Sequence, residues 1–575
     1  MNQGPKPTRI SAIDPLPSAY TIKYPGLSPM AQEIHGLSED LPKRWAAFAY
    51  KHSMPYLWVV FVGGTGTGKS TLFNAFCGRP LSMTGVERPK TIGPIAYAHQ
   101  ACPIDKGFPF PSIQIEGHNS KGAQFHTSSG TPGHLVVLEH DDEVLSHLVL
   151  VDTPDIDSVD AENRQITEDL YSLSDAVVFL ASQEKYADEV PYKFLVRVME
   201  ARKPYFFILN KADQQLSQED VLDTLQSQER RFKKERIWLI PYSPAHPMEQ
   251  IADDKGFRDF VLTLMRELSK EAMGDLLQIE LSGRRKALKR RLGRLLDLLD
   301  QEERAADNWL TQLNALYEDV SSQLIATEKE RFSEQSVQYL RGEIRKLFSK
   351  YDVLARPRRF IRGIILTPFR LLGFGRQGTP KAHKKELLKV GRKVDLAPIR
   401  GATERFNRMV LERLSPADEN APLYKAMRQS HIPLNEKEIR DRIWEAQERL
   451  AIWLEETFQR LAKDFPTSKK WGIYSTSILW GVLILAFETA VGGGFTVLDA
   501  ALDSALAPFV TKGAVELFAY HEIQKIAQEL AKRYQDGLLT VLQEERDRYE
   551  QCLKSLTTSP ETLESLRGLH SEMEG

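Results

Sequence analysis

The chain has 575 residues, more than one hydrophobic core usually holds (about 250–300), so at least two domains are expected. Hydrophobic residues make up 42% and charged residues 27%, which excludes wholesale disorder and collagen-like or mucin-like composition. The 76 Lys and Arg nearly cancel the 78 Asp and Glu, leaving −2, so no global field marks a nucleic-acid binder and any basic site is local.

Residues 1–55 form an N-terminal segment. Met1–Asp40 carries scattered Pro and Gly and no apolar core of signal-peptide type, so a cytoplasmic protein is expected. The three cysteines, Cys77, Cys102 and Cys552, lie far apart, which suits a reducing compartment and neither a disulfide framework nor a cysteine zinc site. Met30–His52 reads as a helix and is expected to pack on the helical half of the protein. Over residues 56–273 short apolar runs alternate with turn residues and helical patterns. Leu57–Val62, Val136–Leu138, Leu148–Val151, Ala176–Ala181, Tyr205–Leu209 and Ile237–Ile240 are strand-length and rich in Val, Ile, Leu and Phe. They predict βα units: an α/β domain with a mostly parallel sheet and helices on both faces.

Gly63-Gly64-Thr65-Gly66-Thr67-Gly68-Lys69-Ser70-Thr71 follows the first of these strands directly. It satisfies G-x-x-x-x-G-K-[ST] in the strand–loop–helix context that the motif requires. Glycines let successive backbone N–H groups turn toward phosphate oxygens at a helix N-terminus. Lys69 is placed to span the β- and γ-phosphates, and the Ser70 hydroxyl to ligate Mg2+. Leu148–Val151 then runs into Asp152-Thr153-Pro154-Asp155, an acid at a strand end suited to holding Mg2+ through water.

Tyr205–Leu209 runs into Asn210-Lys211-Ala212-Asp213. This tetrapeptide resembles the guanine-reading motif of the translation-factor-related phosphate-loop GTPases. The resemblance implies GTP as substrate and GDP as product, with Asp213 accepting hydrogen bonds from the guanine N1–H and 2-amino group. Adenine offers neither donor there, and a carboxylate left unpaired rejects it. Ser243-Pro244-Ala245 resembles the last loop of that family, with Pro244 where Ala is usual. Thr91, within Glu87-Arg88-Pro89-Lys90-Thr91, resembles the Mg2+-binding switch threonine of dynamin-like and Era/TrmE-type GTPases. It joins Lys69 as a candidate catalytic residue; Thr84 is the alternative, and a third reading has Thr91 simply opening the next strand. The pattern departs from the family at Asp155, where Asp-x-x-Gly reads Asp-x-x-Asp, and at Ile156, where Ras-type enzymes place a water-orienting glutamine. Slow hydrolysis, accelerated by self-association, is therefore expected.

After residue 247 the composition changes, and no proline occurs until Pro357. Leu288, Leu292, Leu295 and Leu299, then Trp309, Leu313, Leu316, Val320 and Leu324, recur at spacings of three and four: one long amphipathic helix, or two in register. The stripe returns at Ile439, Ile443, Ala446, Leu450, Leu454, Phe458 and Leu461, opened by a capping box at Asn435 and Glu438. A last helix is expected across Ile523, Ile526, Leu530 and Tyr534. Residues 274–575 are thus read as an elongated all-α bundle or stalk.

A GTPase domain followed by such a stalk resembles bacterial dynamin-like proteins, which implies work at the cytoplasmic face of a membrane. Arg356–Lys393 carries twelve Lys/Arg against one acid, interleaved with Phe360, Ile364, Ile365 and Phe369, and suits an anionic membrane surface. A solvated helical tip and RNA binding are the alternatives. Trp471–Phe487 is uncharged for 17 residues, short of the roughly 20 that a span needs. The stretch 471–510 is read as a buried helical hairpin, a membrane-inserting hairpin or a transmembrane helix. A ribosome- or RNA-assembly GTPase and a GTP-loaded scaffold with little turnover are the rival functions.

Overall fold

The computed structural model describes residues 22–84, 93–118, 127–158, 160–183, 189–201, 203–213, 215–228, 232–241, 247–331, 397–429, 434–463 and 515–573. They divide into two compact units that do not follow chain order. One holds Glu33–Asp297 with Ser559–Gly575, the other Lys23–Gln32 with Leu298–Thr558.

The first unit is built on a sheet of eight strands: β1 (Leu57–Gly63), β2 (Ile95–His99), β3 (Gln114–His118), β4 (His134–His140), β5 (Leu148–Asp152), β6 (Ala176–Ser182), β7 (Tyr205–Ala212) and β8 (Ile237–Pro241). Their order is β3-β4-β2-β5-β1-β6-β7-β8, and every pairing is parallel except β2 with β5. Parallel neighbours require crossovers, and these place helices on both faces. They include α1 (Ala31–Ser53), α2 (Lys69–Cys77), α3 (Ala161–Leu173), α4 (Glu189–Glu200), α5 (Gln218–Gln228), α6 (Pro247–Asp253), α7 (Lys255–Glu267) and the start of α8 (Lys270–Arg331). Trp58, Val60 and Val62 of β1 pack with Tyr50 of α1, Leu170 of α3 and Val198 of α4. Leu57, Val59 and Phe61 pack on the other side with Phe73 of α2 and Phe260 of α7. Burial on both faces is why the strand reads as an unbroken apolar run.

α1 pairs Gln32 with Asp418, and Glu33 and Asp40 with Arg294 and Arg291 of α8, while its last turns bury Ala47 and Tyr50 against Trp58 of the sheet. Lys51 Nζ lies 2.5 Å from Asp175 Oδ2, both side chains being at most 2% exposed. The same carboxylate oxygen accepts the Trp58 N–H at 2.7 Å. Arg284, on α8, donates to the carbonyls of Ser172 and Ser174 and lies 3.8 Å from the other Asp175 oxygen. Burial pushes the Lys51 ammonium down from the usual lysine range, and Asp175 opposes that shift.

The leucine stripe is one helix, not two: α8 runs for 62 residues, of which those from Leu298 on belong to the second unit. Its Trp309, Leu313, Val320 and Leu324 pack with Phe406, Leu423, Ile439, Val541 and Tyr549 from the helices Ala397–Arg413, Pro422–Gln429, Glu436–Lys463 and Val515–Ser555. The capping box forms as read. Asn435 N donates to Glu438 Oε2 at 2.8 Å, and Glu438 N to Asn435 Oδ1 at 2.9 Å. Glu302 of α8, 2% exposed, accepts the backbone N–H groups of Gly26, Leu27 and Ser28 at 2.8, 3.0 and 2.6 Å. Beside it Lys23 N donates to Thr558 Oγ1 at 3.0 Å, and that hydroxyl donates back to Lys23 O at 2.6 Å. Among the described residues no helix is long and apolar enough to cross a membrane. The basic stretch Arg356–Lys393 and the apolar stretch 471–510 lie outside the described residues.

Candidate nucleotide site

The glycine-rich turn leaves β1 at Gly63 and enters α2 at Lys69. Two of its glycines are dictated by space. A Cβ on Gly63 would lie 2.3 Å from Leu180 O of β6, and one on Gly68 would lie 2.2 Å from Asn210 Nδ2. Gly68 also takes φ 92 as the residue that caps α2, a left-handed conformation that a side chain resists. Thr67 Oγ1 donates to Gly64 O at 2.9 Å and closes the turn. Lys69, 5% exposed, donates to Gly63 O at 3.0 Å, Gly64 O at 3.3 Å and the Asp155 carboxylate. Ser70 and Thr71 are partly exposed on the first turn of α2.

Asp152 ends β5 with no exposed surface. Its Oδ2 accepts the Ser82 hydroxyl at 2.8 Å, while its Oδ1 is buried without a hydrogen-bond partner. Burial raises its pKa, against the charge of Lys69 and the hydroxyls of Ser70 and Ser82. Ser82 was not foreseen, and no motif marks it. It is held by Asn74 of α2, which takes the Ser82 N–H at 2.8 Å and donates to Ser82 O at 2.7 Å. An orphaned carboxylate oxygen beside two hydroxyls is a set of hard oxygen donors, and it fits Mg2+.

The Asn210-Lys211-Ala212-Asp213 tetrapeptide sits at the end of β7, where the pairing with β8 is irregular between Asn210 and Ala212. Asn210 Nδ2 donates to Thr67 O at 2.9 Å, and Lys211 Nζ to Gly66 O at 2.9 Å. Lys211 takes φ 60, the single non-glycine positive φ among the described residues. Asp213 is exposed, and its N–H donates to Gln183 Oε1 at 2.7 Å, a brace from the end of β6 that sequence reading missed. Fold and hydrogen bonds thus bring the phosphate loop, Asp152 and the Asn210–Asp213 segment to the same strand ends. Thr91 and Ser243 lie outside the described residues, and Thr84 is exposed. Ile156 is 6% exposed, belongs to the buried cluster that holds Ile166 and Leu170 of α3, and donates its backbone N–H to Gly63 O at 3.3 Å.

Residues 58–211 match the family described as 50S ribosome-binding GTPase. A protein of the xynA 3′ region of Caldicellulosiruptor sp. (strain Rt8B.4) is 28% identical over 193 residues, 32% of this chain and 47% of that protein. A protein named as transmembrane GTPase FZO-like, chloroplastic, from Arabidopsis thaliana is 27% identical over 159 residues, 28% of this chain and 15% of that protein. The matches therefore span under half the length of these curated relatives. Among solved structures, a chain of an oligomerised bacterial dynamin pair is 12% identical, covering 97% of each chain at a TM-score of 0.38. Aquifex aeolicus Era is 15% identical, covering 37% of this chain and 57% of that one at 0.24. The strand order, the loop from β1 into α2 and the family match agree: residues 58–211 are a phosphate-loop GTPase domain.

Proposed function

We propose that the chain binds and slowly hydrolyses GTP with Mg2+, and couples that cycle to association with a membrane, as dynamin-like proteins do. The observation that carries the nucleotide half is the pair of bonds from Asn210 and Lys211 to the phosphate loop, which join base reading and phosphate reading in one site. In this reading the loop N–H groups and Lys69 hold the phosphates. Ser70, Asp152 and Thr91 would hold the Mg2+, and Asp213 would read guanine with Ser243 among the nucleotide contacts. The ion, when bound, neutralises charge on the β- and γ-phosphate oxygens. GTP is expected to bind far more tightly than ATP, and Asp213→Asn to move the preference toward xanthosine nucleotides, because the amide donates where the carboxylate accepted. Competition titration against a fluorescent guanine nucleotide measures both. Equal affinity for ATP and GTP in the unmutated protein would sink the assignment.

The membrane half rests on sequence: twelve Lys/Arg against one acid over Arg356–Lys393. Each such cation near anionic lipid contributes on the order of 1 kcal/mol. Sedimentation with phosphatidylserine-containing liposomes should show salt-sensitive binding, and Arg358, Arg359, Arg362 and Arg370→Glu should abolish it without changing basal GTP hydrolysis. Binding to RNA and not to liposomes would move the reading to a ribosome- or RNA-assembly GTPase. In this reading 56–273 carries the nucleotide and 274–575 the membrane work, with self-association raising turnover.

A further inference from the structure

The segment after β5 sets two more carboxylates against the phosphate loop. Lys69 has three N–H donors, and three acceptors take them: Gly63 O, Gly64 O and the Asp155 carboxylate. The two carbonyls belong to the loop itself, so Asp155 is the partner that a phosphate oxygen must replace. Two residues on, Asp157 Oδ1 accepts both the N–H and the hydroxyl of Thr65 at 2.7 Å. The other Asp157 oxygen lies over the loop, 3.0 Å from where a Cβ on Gly64 would be. Thr65 N–H is one of the backbone donors that the glycine-rich turn presents to anions. Carboxylate and phosphate thus compete for the same two donors, and both are negative, so one repels the other at this range.

We propose that Asp155 and Asp157 are an internal counter-anion that competes with the terminal phosphate for Lys69 and Thr65, and so sets the ratio of triphosphate to diphosphate affinity. The inference rests on the GTP-binding reading and deepens it. Lys69 lies where β- and γ-phosphates are spanned, so a diphosphate needs less of what the carboxylates hold. Loading of the triphosphate must move Asp155 and Asp157 off the loop. An aspartate in place of the family's glycine then acts by its charge, not only by the backbone freedom that it removes.

The test is a titration of the full chain with methylanthraniloyl-labelled GDP and with a labelled non-hydrolysable GTP analogue, at fixed salt. Asp155→Asn keeps the side-chain shape and removes the charge. It should tighten the analogue about tenfold, the equivalent of ~1.4 kcal/mol, and tighten GDP less than about threefold. Asp157→Asn should act in the same direction and less strongly, and it decides alone if the first variant does not fold by circular dichroism. Weaker or unchanged analogue binding in the folded variants overturns the proposal, since the carboxylates would then support the loop. An equal gain for both nucleotides overturns it too, as general relief of charge. Unmutated protein that binds neither guanine nucleotide overturns the GTP reading and the proposal with it. Normal binding without discrimination in the variants overturns the proposal alone.

Discussion

Lys69→Ala is expected to cut GTP affinity at least ~30-fold, since truncating a buried charge that pairs with an anion costs roughly 2–5 kcal/mol. The side chain is 5% exposed at the foot of α2, and in the proposed site its ammonium is the cation for the phosphate chain. Removing it also leaves the Asp155 carboxylate beside the phosphates with no cation between them. Fluorescence titration reads the loss, and phosphate release should fall with it. A variant that keeps normal affinity would mean that backbone N–H groups alone hold the nucleotide.

Lys51→Met should be among the most destabilising single changes in the GTPase unit. It strands the Asp175 carboxylate, 2% exposed, with the Trp58 N–H, Arg284 at 3.8 Å and the charge of Lys203. Breaking a buried ion pair from one side costs about 3–5 kcal/mol, so thermal melting should drop by roughly 10 °C. The double variant Lys51→Met with Asp175→Asn keeps an acceptor for Trp58 and removes both charges of the pair, leaving Arg284 beside Glu280. It should recover most of the loss. A double variant as unstable as the sum of the two singles would show that packing, and not the charge, carries the effect.

The central strands were legible because burial on both faces writes itself into sequence as Leu-Trp-Val-Val-Phe-Val or Ala-Val-Val-Phe-Leu-Ala. β3 was not. Gln114-Ile115-Glu116-Gly117-His118 is one of the two edge strands, paired only with β4, and shows one large apolar residue and a glycine. β2, Ile-Ala-Tyr-Ala-His, is short and half alanine-sized, and its antiparallel pairing with β5 has no local signature. That the glycine-rich loop, Asp152 and the Asn-Lys-x-Asp segment meet at one set of strand ends was legible because each ends or directly follows a strand of the same parallel set. Asp155 was read as a loss of glycine, and its bond to Lys69 emerges only when the ammonium has a position. Lys51, Asp175 and Arg284 look like ordinary solvated charges in sequence. They lie on three separate elements, and only the fold makes them neighbours.

The grip of Glu302 on Gly26, Leu27 and Ser28 has a consequence for synthesis on the ribosome. The segment Lys23–Gln32 emerges early, yet its acceptor Glu302 comes 276 residues after Gly26, and the Thr558 partner of Lys23 comes 535 residues after it. At the usual ~5–20 residues per second, that second partner appears roughly half a minute to nearly two minutes later. The sheet unit has the same shape of dependence, since Arg285 donates to the Glu572 carbonyl at 3.1 Å. The second unit lacks a contact until Thr558 is made, and the first until Glu572 is made. The early segment therefore waits with its backbone N–H groups in water, and a truncated chain leaves both units short of their last contacts.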